Sequence, residues 1–479
     1  MASIKTNILL NGINTATSLL FPMITFPYAA RILLPDGIGT INFLSGIVGY
    51  IVLFTSLGIP LYAVKEIARS RDLKVERDRI ALEILLLSAL LCTAGYLMVW
   101  CLGEFVPKIH EYSTLFYILS LSILFTAIGA DWFYQGIEDF KFLTIRAIVV
   151  RILSAAALFI FVRSRADLAY YAMVIVGGTV GNNLINFIHL RKHLSLRLIR
   201  FGDLDLMRHL RPIFAVFLLY AAMSIYIYLN STMLGFISGD EAVGYFTAGV
   251  RIPQIGITII NSMATVFLPR CANLVGKGDE AQFADVVGRS IQATLFISIP
   301  MVVGMCVLSA PLIAVFCGPA YDASVRVLVL YAPSVILIGV NSILGSQILY
   351  PKGHVSIMIW SMVAGLIVNA ALNAILIPRY GASGSALSTL SAEVIMLIIL
   401  FTAGSRYFPF RISEVNWFAY LIPAVIMGLV VYVLSNLGLS DVWHLVSGVI
   451  AGVLIYMLIL IVRRDQMASI FMDFLRRKS

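Results

Sequence analysis

Charge is what this chain of 479 residues has least of: Asp, Glu, Lys and Arg together make up 12%, against about 25% in soluble domains. That scarcity excludes an ordinary aqueous surface. Catalytic signatures are missing too. No Gly-rich phosphate loop precedes a lysine, and there is no His-Glu-x-x-His and no nucleophile elbow. No segment outside the apolar runs is large enough for a catalytic domain such as a glycosyltransferase. The alternation of an outer-membrane barrel is also absent. Cys92, Cys101, Cys271, Cys306 and Cys317 are scattered, odd in number and without metal spacing, and read as apolar filler. The six histidines lie mostly in loops or at helix ends and are not read as metal ligands. No metal or organic cofactor is expected.

What is present is apolar. Hydrophobic residues make up 60% and mean hydropathy is +0.95. Crossing ~30 Å of hydrocarbon takes about 20 apolar residues, and the chain holds about fourteen such runs. It is therefore an all-α polytopic membrane protein. The first run has one lysine ahead of it, is broken by asparagines and Pro22, and lacks a small-x-small cleavage site, so no cleaved signal peptide is expected. The net charge of +9 invites a nucleic-acid reading, but its distribution argues against one. Lys65 to Arg79, Arg191 to Arg211 and Arg463 to Lys478 fall on one side of the membrane. The other side holds little beyond Arg31, Lys108, Arg163, Arg165, Arg326 and Arg379. This is the positive-inside pattern, and it places both termini in the cytoplasm.

The stretch Gly244–Pro269 reads as a spanning helix, yet Thr247, Arg251, Gln254, Thr258, Asn261 with Ser262, and Thr265 recur in steps of three and four. Those steps put them on one helical face. An arginine near mid-membrane is unfavourable by at least roughly 2.5–3.5 kcal/mol, so such residues face protein or water. The face is either a seam that joins helices or the wall of a polar cavity. A second helix argues for the cavity, since Asn7, Asn11, Asn14, Ser18 and Thr25 share a face as well. The second helix adds Asn42 and Ser56, with Gly46 and Gly49 allowing close approach.

An internal repeat sets the organisation. Gly39 and Ile38 align with Gly244 and Val243 at an offset of 205 residues, each pair preceded by acid. Six helices per half give both halves one orientation, as parallel repeats around a central cavity. The expected divisions are a first six-helix bundle at 1–190, a cytoplasmic linker at 191–211, a second bundle at 212–404, two added helices at 405–462, and an amphipathic cytoplasmic tail at 463–479. In that tail Met467, Ile470, Phe471, Phe474 and Leu475 make an apolar stripe suited to the interface.

Among membrane-embedded charges, Arg251 stands first. Glu393 lies half-way along the twelfth helix, where a carboxylate must be protonated or paired, and is a candidate for ion coupling by H⁺ or Na⁺. Arg31 lies near the outer mouth. Arg151 and Glu83 are within snorkelling reach of the cytoplasmic face and read as structural. Asp131 reads as a partner for a cytoplasmic base.

Several motifs, in order, resemble the Wzx-type polysaccharide flippases of the multidrug/oligosaccharidyl-lipid/polysaccharide exporter superfamily. They are Ala30-Arg31-Ile32-Leu33 into Asp36-Gly37-Ile38-Gly39, Val64-Lys65-Glu66-Ile67-Ala68, Asp131 to Gly136, and Val243 to Phe246 leading to Arg251. Leu268-Pro269-Arg270 follows, and then Ile377 to Ala386 ahead of Glu393. Arginine is usual where Lys65 stands, and alanine where Ser385 stands. The resemblance implies two six-helix bundles that alternate in access, plus two C-terminal helices. It implies as substrate an oligosaccharide on undecaprenyl diphosphate, moved to the outer leaflet of a bacterial or archaeal cytoplasmic membrane. Membrane lipids and other polysaccharide assembly proteins would be its partners. A guanidinium matches diphosphate oxygens bidentately, and amides and hydroxyls suit sugars, so the expected binding set is Arg251, Arg31, Asn11, Asn14, Asn42, Thr247, Gln254, Thr258 and Asn261. The outer turns 34–39 and 236–244 would act as gates. The alternatives are a drug/cation antiporter or a peptidoglycan-precursor flippase of the same superfamily, and a membrane-embedded polysaccharide polymerase or ligase.

Overall fold

The computed structural model describes residues 4–195, 201–409, 416–435 and 440–476, and every regular element among them is helical. The chain forms two compact units, Met1–Gly244 and Tyr245–Ser479. The first is built from α1 (Ile4–Ser56), α2 (Ile59–Arg69), α3 (Lys74–Phe105), α4 (Pro107–Glu111), α5 (Ser113–Ile128), α6 (Asp131–Gly136), α7 (Phe140–Phe161), α8 (Leu168–Leu190) and α9 (Met207–Ser238). Helix α10 (Asp240–Lys277) begins in the first unit and continues into the second. There it is followed by α11 (Glu280–Val307), α12 (Ser309–Phe316), α13 (Ala323–Tyr331), α14 (Ser334–Ser342), a π-helix (Ile343–Leu349), α15 (Val355–Gly404), α16 (Phe418–Ser435), α17 (Asp441–Val462) and α18 (Gln466–Arg476).

Among the described residues, eleven helical runs are long and apolar enough to cross a membrane, and two of them, 12–69 and 355–407, are double length. With α9, 32 residues long, this gives the fourteen long helices expected. Each double run holds one non-helical residue inside a long helix, and 12–69 turns again at Leu57 (φ 44) before α2. In α1 the break is Leu34, at φ 58 and ψ 177. Pro35 denies the α conformation to the residue before it, while its own ring suits the first position of the resumed helix. A leucine in this region stores roughly 1–3 kcal/mol of strain. In α15 the break is Gly381, at φ 53 and ψ −130, where the missing Cβ removes the penalty.

Inside the first unit, Ile59, Ala63 and Ile67 of α2 pack on Ile80 and Ile84 of α3 and on Trp132, Phe133 and Tyr134 of α6. The second half of α1 lies close against α9. An added Cβ at Gly46 would stand 3.1 Å from Thr232 Oγ1, and one at Gly49 would stand 2.5 Å from the Tyr228 ring. In lipid such close packing, rather than the hydrophobic effect, holds helices together. The second unit is centred on Phe283, Val287, Ile291 and Leu295 of α11, packed with Ile343 and Ile348 of the π-helix and with Tyr420 and Tyr456 of α16 and α17.

Helix α9 carries the small residue Gly235 toward Phe43 of α1 and the aromatic Tyr228 toward Gly49.

Candidate functional site

In the second unit, α10 is held by an apolar face. Pro253, Ile260, Ala264, Cys271 and Leu274 are buried. Gly249 and Gly256 let it approach Val327 of α13 and Met301 of α11. The opposite face carries the polar series: Thr247 is buried, Arg251, Thr258 and Asn261 are half-buried, and Gln254, Ser262 and Thr265 are exposed. Several hydroxyls are spent on the helix itself. Thr258 Oγ1 donates to the Gln254 carbonyl (2.8 Å), Ser262 Oγ to Ile259 (2.7 Å) and Thr265 Oγ1 to Ser262 (2.7 Å). Asn261 Oδ1 is enclosed without a hydrogen bond. Pro253 and Pro269 cannot donate to the carbonyls one turn back, so Gly249 and Thr265 lose that intrahelical bond.

The first unit holds the other expected residues. Arg31 is exposed on α1. Asn14 is half-buried, and its Oδ1 accepts from Arg151 of α7 at 2.9 Å, with Thr17 Oγ1 bonded to the same guanidinium at 2.7 Å. Arg151 therefore ties α7 to α1, an inter-helix role that its sequence reading as a snorkelling side chain left out. Asn42 Nδ2 donates to the Ile38 carbonyl at 2.8 Å. The Asn11 and Asn7 side chains lie outside the described ones.

Sequence reasoning missed two buried networks in this unit. Arg146 of α7 bonds Asp131 Oδ1 (2.9 Å) and the Asn186 side chain of α8, which is wholly buried; Asp131 thus finds the base it was expected to need. Glu83 of α3, also wholly buried, accepts from the Asp205 amide (2.8 Å), Arg79 Nε (3.1 Å), His209 Nε2 (2.8 Å) and Arg208. His209 Nδ1 meets the Tyr62 hydroxyl at 2.7 Å. A histidine two residues before Arg211 was the only hint in the sequence. Nearby, burial and the charge of His189 lower the pKa of His193.

At the other end of the unit, the start of α10 crosses the resumed α1. A Cβ on Gly39 would fall on the Asp240 backbone, 2.6 Å from its carbonyl carbon and 2.8 Å from Gly244 N. One on Gly244 would fall on Pro35, 2.6 Å from its carbonyl carbon. The two glycines aligned by the repeat therefore meet. Around them Thr40 Oγ1 donates to Asp240 Oδ2 (2.9 Å) and Lys108 Nζ pairs with Asp240 Oδ1 (2.9 Å). Burial first, and then Asp240, push the Tyr112 phenol up to about 12.

Glu393 is 4% exposed. Asn341 Nδ2, from the end of α14, donates to its Oε2 at 3.0 Å and to its carbonyl at 3.2 Å. The polar stripe continues one and two turns back at Thr389 and Ser385, facing Asn369 and Asn373 across the bend of α15. Asn341 Oδ1 and Ser385 Oγ are enclosed without a hydrogen bond. The steps 385, 389, 393 and 369, 373 were legible as helical spacing. Among the described residues, no cluster of three or more His, Cys, Asp or Glu is placed to hold a metal ion.

Residues 4–275 match the model of a family described as polysaccharide biosynthesis protein. A putative O-antigen transporter of Escherichia coli K12 is 23% identical over 415 residues, 84% of this chain and 98% of that protein. One from Shigella dysenteriae is 26% identical over 405 residues, 83% of this chain and 99% of that protein. Among solved structures, the inward closed conformation of the lipid II flippase MurJ aligns with a TM-score of 0.72 at 18% identity, over 96% of this chain and 100% of that one. The fold is of that kind.

Proposed function

The chain belongs to the polysaccharide biosynthesis protein family, and we propose that it is a flippase for an undecaprenyl-diphosphate-linked oligosaccharide. It would move this lipid-linked unit from the cytoplasmic to the outer leaflet of a bacterial or archaeal cytoplasmic membrane, with both termini cytoplasmic. Its work is transport by alternating access rather than bond chemistry, in company with membrane lipids and other polysaccharide assembly proteins. The names of the E. coli and Shigella relatives support the substrate class.

The observation that carries this reading is the polar face of α10. A membrane-crossing helix that buries its apolar side in its own unit leaves Arg251 and Gln254 partly or fully open to small molecules. Arg251 takes the diphosphate, where two parallel N–H···O bonds are available. Gln254, Asn261, Thr247 and Thr258 take sugar hydroxyls. The crossing of Gly39 and Gly244, ringed by Lys108, Thr40 and Asp240, is one gate. Glu393, buried against Asn341, is the candidate group through which an H⁺ or Na⁺ gradient drives the cycle.

The test is flipping of a fluorescent undecaprenyl-diphosphate glycan in reconstituted vesicles. Wild type flips and Arg251→Ala loses at least tenfold, about 1.4 kcal/mol of differential binding. Undiminished flipping by Arg251→Ala removes that side chain from the site. Wild type that carries small cationic drugs and no glycan is an antiporter of the same fold. For coupling, Glu393→Gln is compared with wild type across imposed proton and sodium gradients; an unchanged gradient dependence excludes the residue.

A further inference from the structure

A groove runs along the seam of α7 and α8 on the side of the first unit that faces lipid, and it plays no part in the proposed transport path. Its long section, about 500 Å³, is walled by Val150, Leu153 and Phe161 of α7 and by Met173, Gly177 and Gly181 of α8. Leu153, Phe161 and Met173 are exposed, so the groove opens sideways into the bilayer. Glycine makes the room: a Cβ on Gly177 would meet nothing within 4 Å. The groove shares Ile185 with a second hollow of about 460 Å³ at the start of α7, lined by Lys141, Ile145, Arg146, Val149 and His189.

That second hollow is polar in one particular way. His189 is stacked on Phe142 at 4.3 Å, and its Nδ1 is enclosed with no hydrogen bond. Arg146 is 8% exposed, and its Nε is likewise enclosed and unbonded. Lys141 is exposed and, among the described residues, has no acidic partner. Arg191 and Lys192 stand exposed just beyond His189. The two acids of the mouth are already engaged: Asp139 Oδ1 caps α7 through the Phe142 amide (3.2 Å), and Asp131 holds Arg146. Four basic side chains, Lys141, Arg146, Arg191 and Lys192, therefore stand at or beside the mouth against two carboxylates, Asp139 and Asp131. An anionic occupant fits that balance. From Arg146 to Ala157 the path rises about 16 Å, close to the ~15 Å of hydrocarbon in one leaflet.

We propose that the α7/α8 groove is a binding site for one resident anionic glycerophospholipid. Its phosphate sits at Lys141, Arg146 and His189, and one acyl chain lies along Val150 to Ala157. This lipid is separate from the transported one, and its binding is read without any transport.

Delipidated protein is titrated with equimolar phosphatidylglycerol and phosphatidylcholine of the same acyl chains, and the bound lipids are counted by native mass spectrometry. The first lipid retained is phosphatidylglycerol, with a preference of about tenfold. Lys141→Glu, at an exposed position, abolishes the preference, and His189→Phe, which keeps the ring stack, reduces it. Gly177→Leu fills open space and removes the first-bound lipid of either headgroup. Equal retention of the two lipids by wild type overturns the proposal, as does a preference that survives Lys141→Glu. A dimer that dissociates with Gly177→Leu also overturns it, because the groove would then hold a helix of a second copy.

Discussion

The crossing of α1 and α10 is where one methyl group has the largest effect. An alanine at Gly39 places its Cβ 2.6 Å from the Asp240 carbonyl carbon and 2.8 Å from Gly244 N. Carbon atoms in good contact stand about 3.5–4.0 Å apart and the Asp240 carbonyl oxygen is nearer still, so the two backbones must part by at least about 1 Å. That movement stretches the Thr40–Asp240 hydrogen bond of 2.9 Å to roughly 3.9 Å, which is no longer a hydrogen bond. Overpacking costs roughly 1–3 kcal/mol, and a hydrogen bond to a charged group is worth roughly 1.5–3. Helix propensity returns roughly 1 kcal/mol. The net is about 3 kcal/mol, on the order of a hundredfold in the closed-to-open ratio of the crossing. Hydrogen–deuterium exchange over 34–44 and 236–246 reads that ratio directly. Both segments should exchange about a hundredfold faster in Gly39→Ala, and Gly244→Ala should do the same because its Cβ meets Pro35. Wild-type exchange in both segments, with an unchanged Tm, would show that the helices do not touch here.

Four further outcomes are expected. Gly288→Ala, in α11 with nothing within 4 Å of the new methyl, should raise stability by up to about 1 kcal/mol and serves as the control for the crossing; a loss of Tm would contradict it. Glu83→Ala leaves buried His209 and its arginines without their acceptor and should destabilise by roughly 3 kcal/mol, with Glu83→Gln milder in thermal melts; an unaltered Tm in both variants would dismiss the network. His193 has a pKa below the ordinary histidine value because it is buried and lies beside His189. The unfolded chain therefore takes up the proton first, stability falls as pH drops below about 6.5, and His193→Phe should flatten that part of the Tm profile. Arg151→Met removes the tie to Asn14 and Thr17; exchange in the 10–20 segment should rise, and unchanged protection would mean the tie is idle.

Much of the architecture is legible from period alone. Apolar runs of about 20 residues locate the spans, and steps of three and four locate the polar face of α10, since both depend on the local geometry of a single helix. The same rule makes the stripe Ser385, Thr389, Glu393 visible. It does not reveal that Asn341, 52 residues away, supplies the bond to Glu393. The repeat alignment of Gly39 with Gly244 was visible as an offset; that the two glycines touch was not. Arg151 and Glu83 read as side chains that reach for the interface, because an isolated helix offers them nothing else.

The sequence by itself determined that this is a multi-pass helical membrane protein, which helix faces are polar, and the resemblance of its motifs to polysaccharide flippases. Only the tertiary structure decided which of those polar groups are already engaged. Asn14 is held by Arg151, Asn42 by its own helix and Asp131 by Arg146, while Gln254 stays exposed. The physical reason is range. Helical periodicity is set within a few residues, whereas a hydrogen bond such as that of Arg151 to Asn14 joins positions 137 apart in the chain and depends on how closely two helices pack.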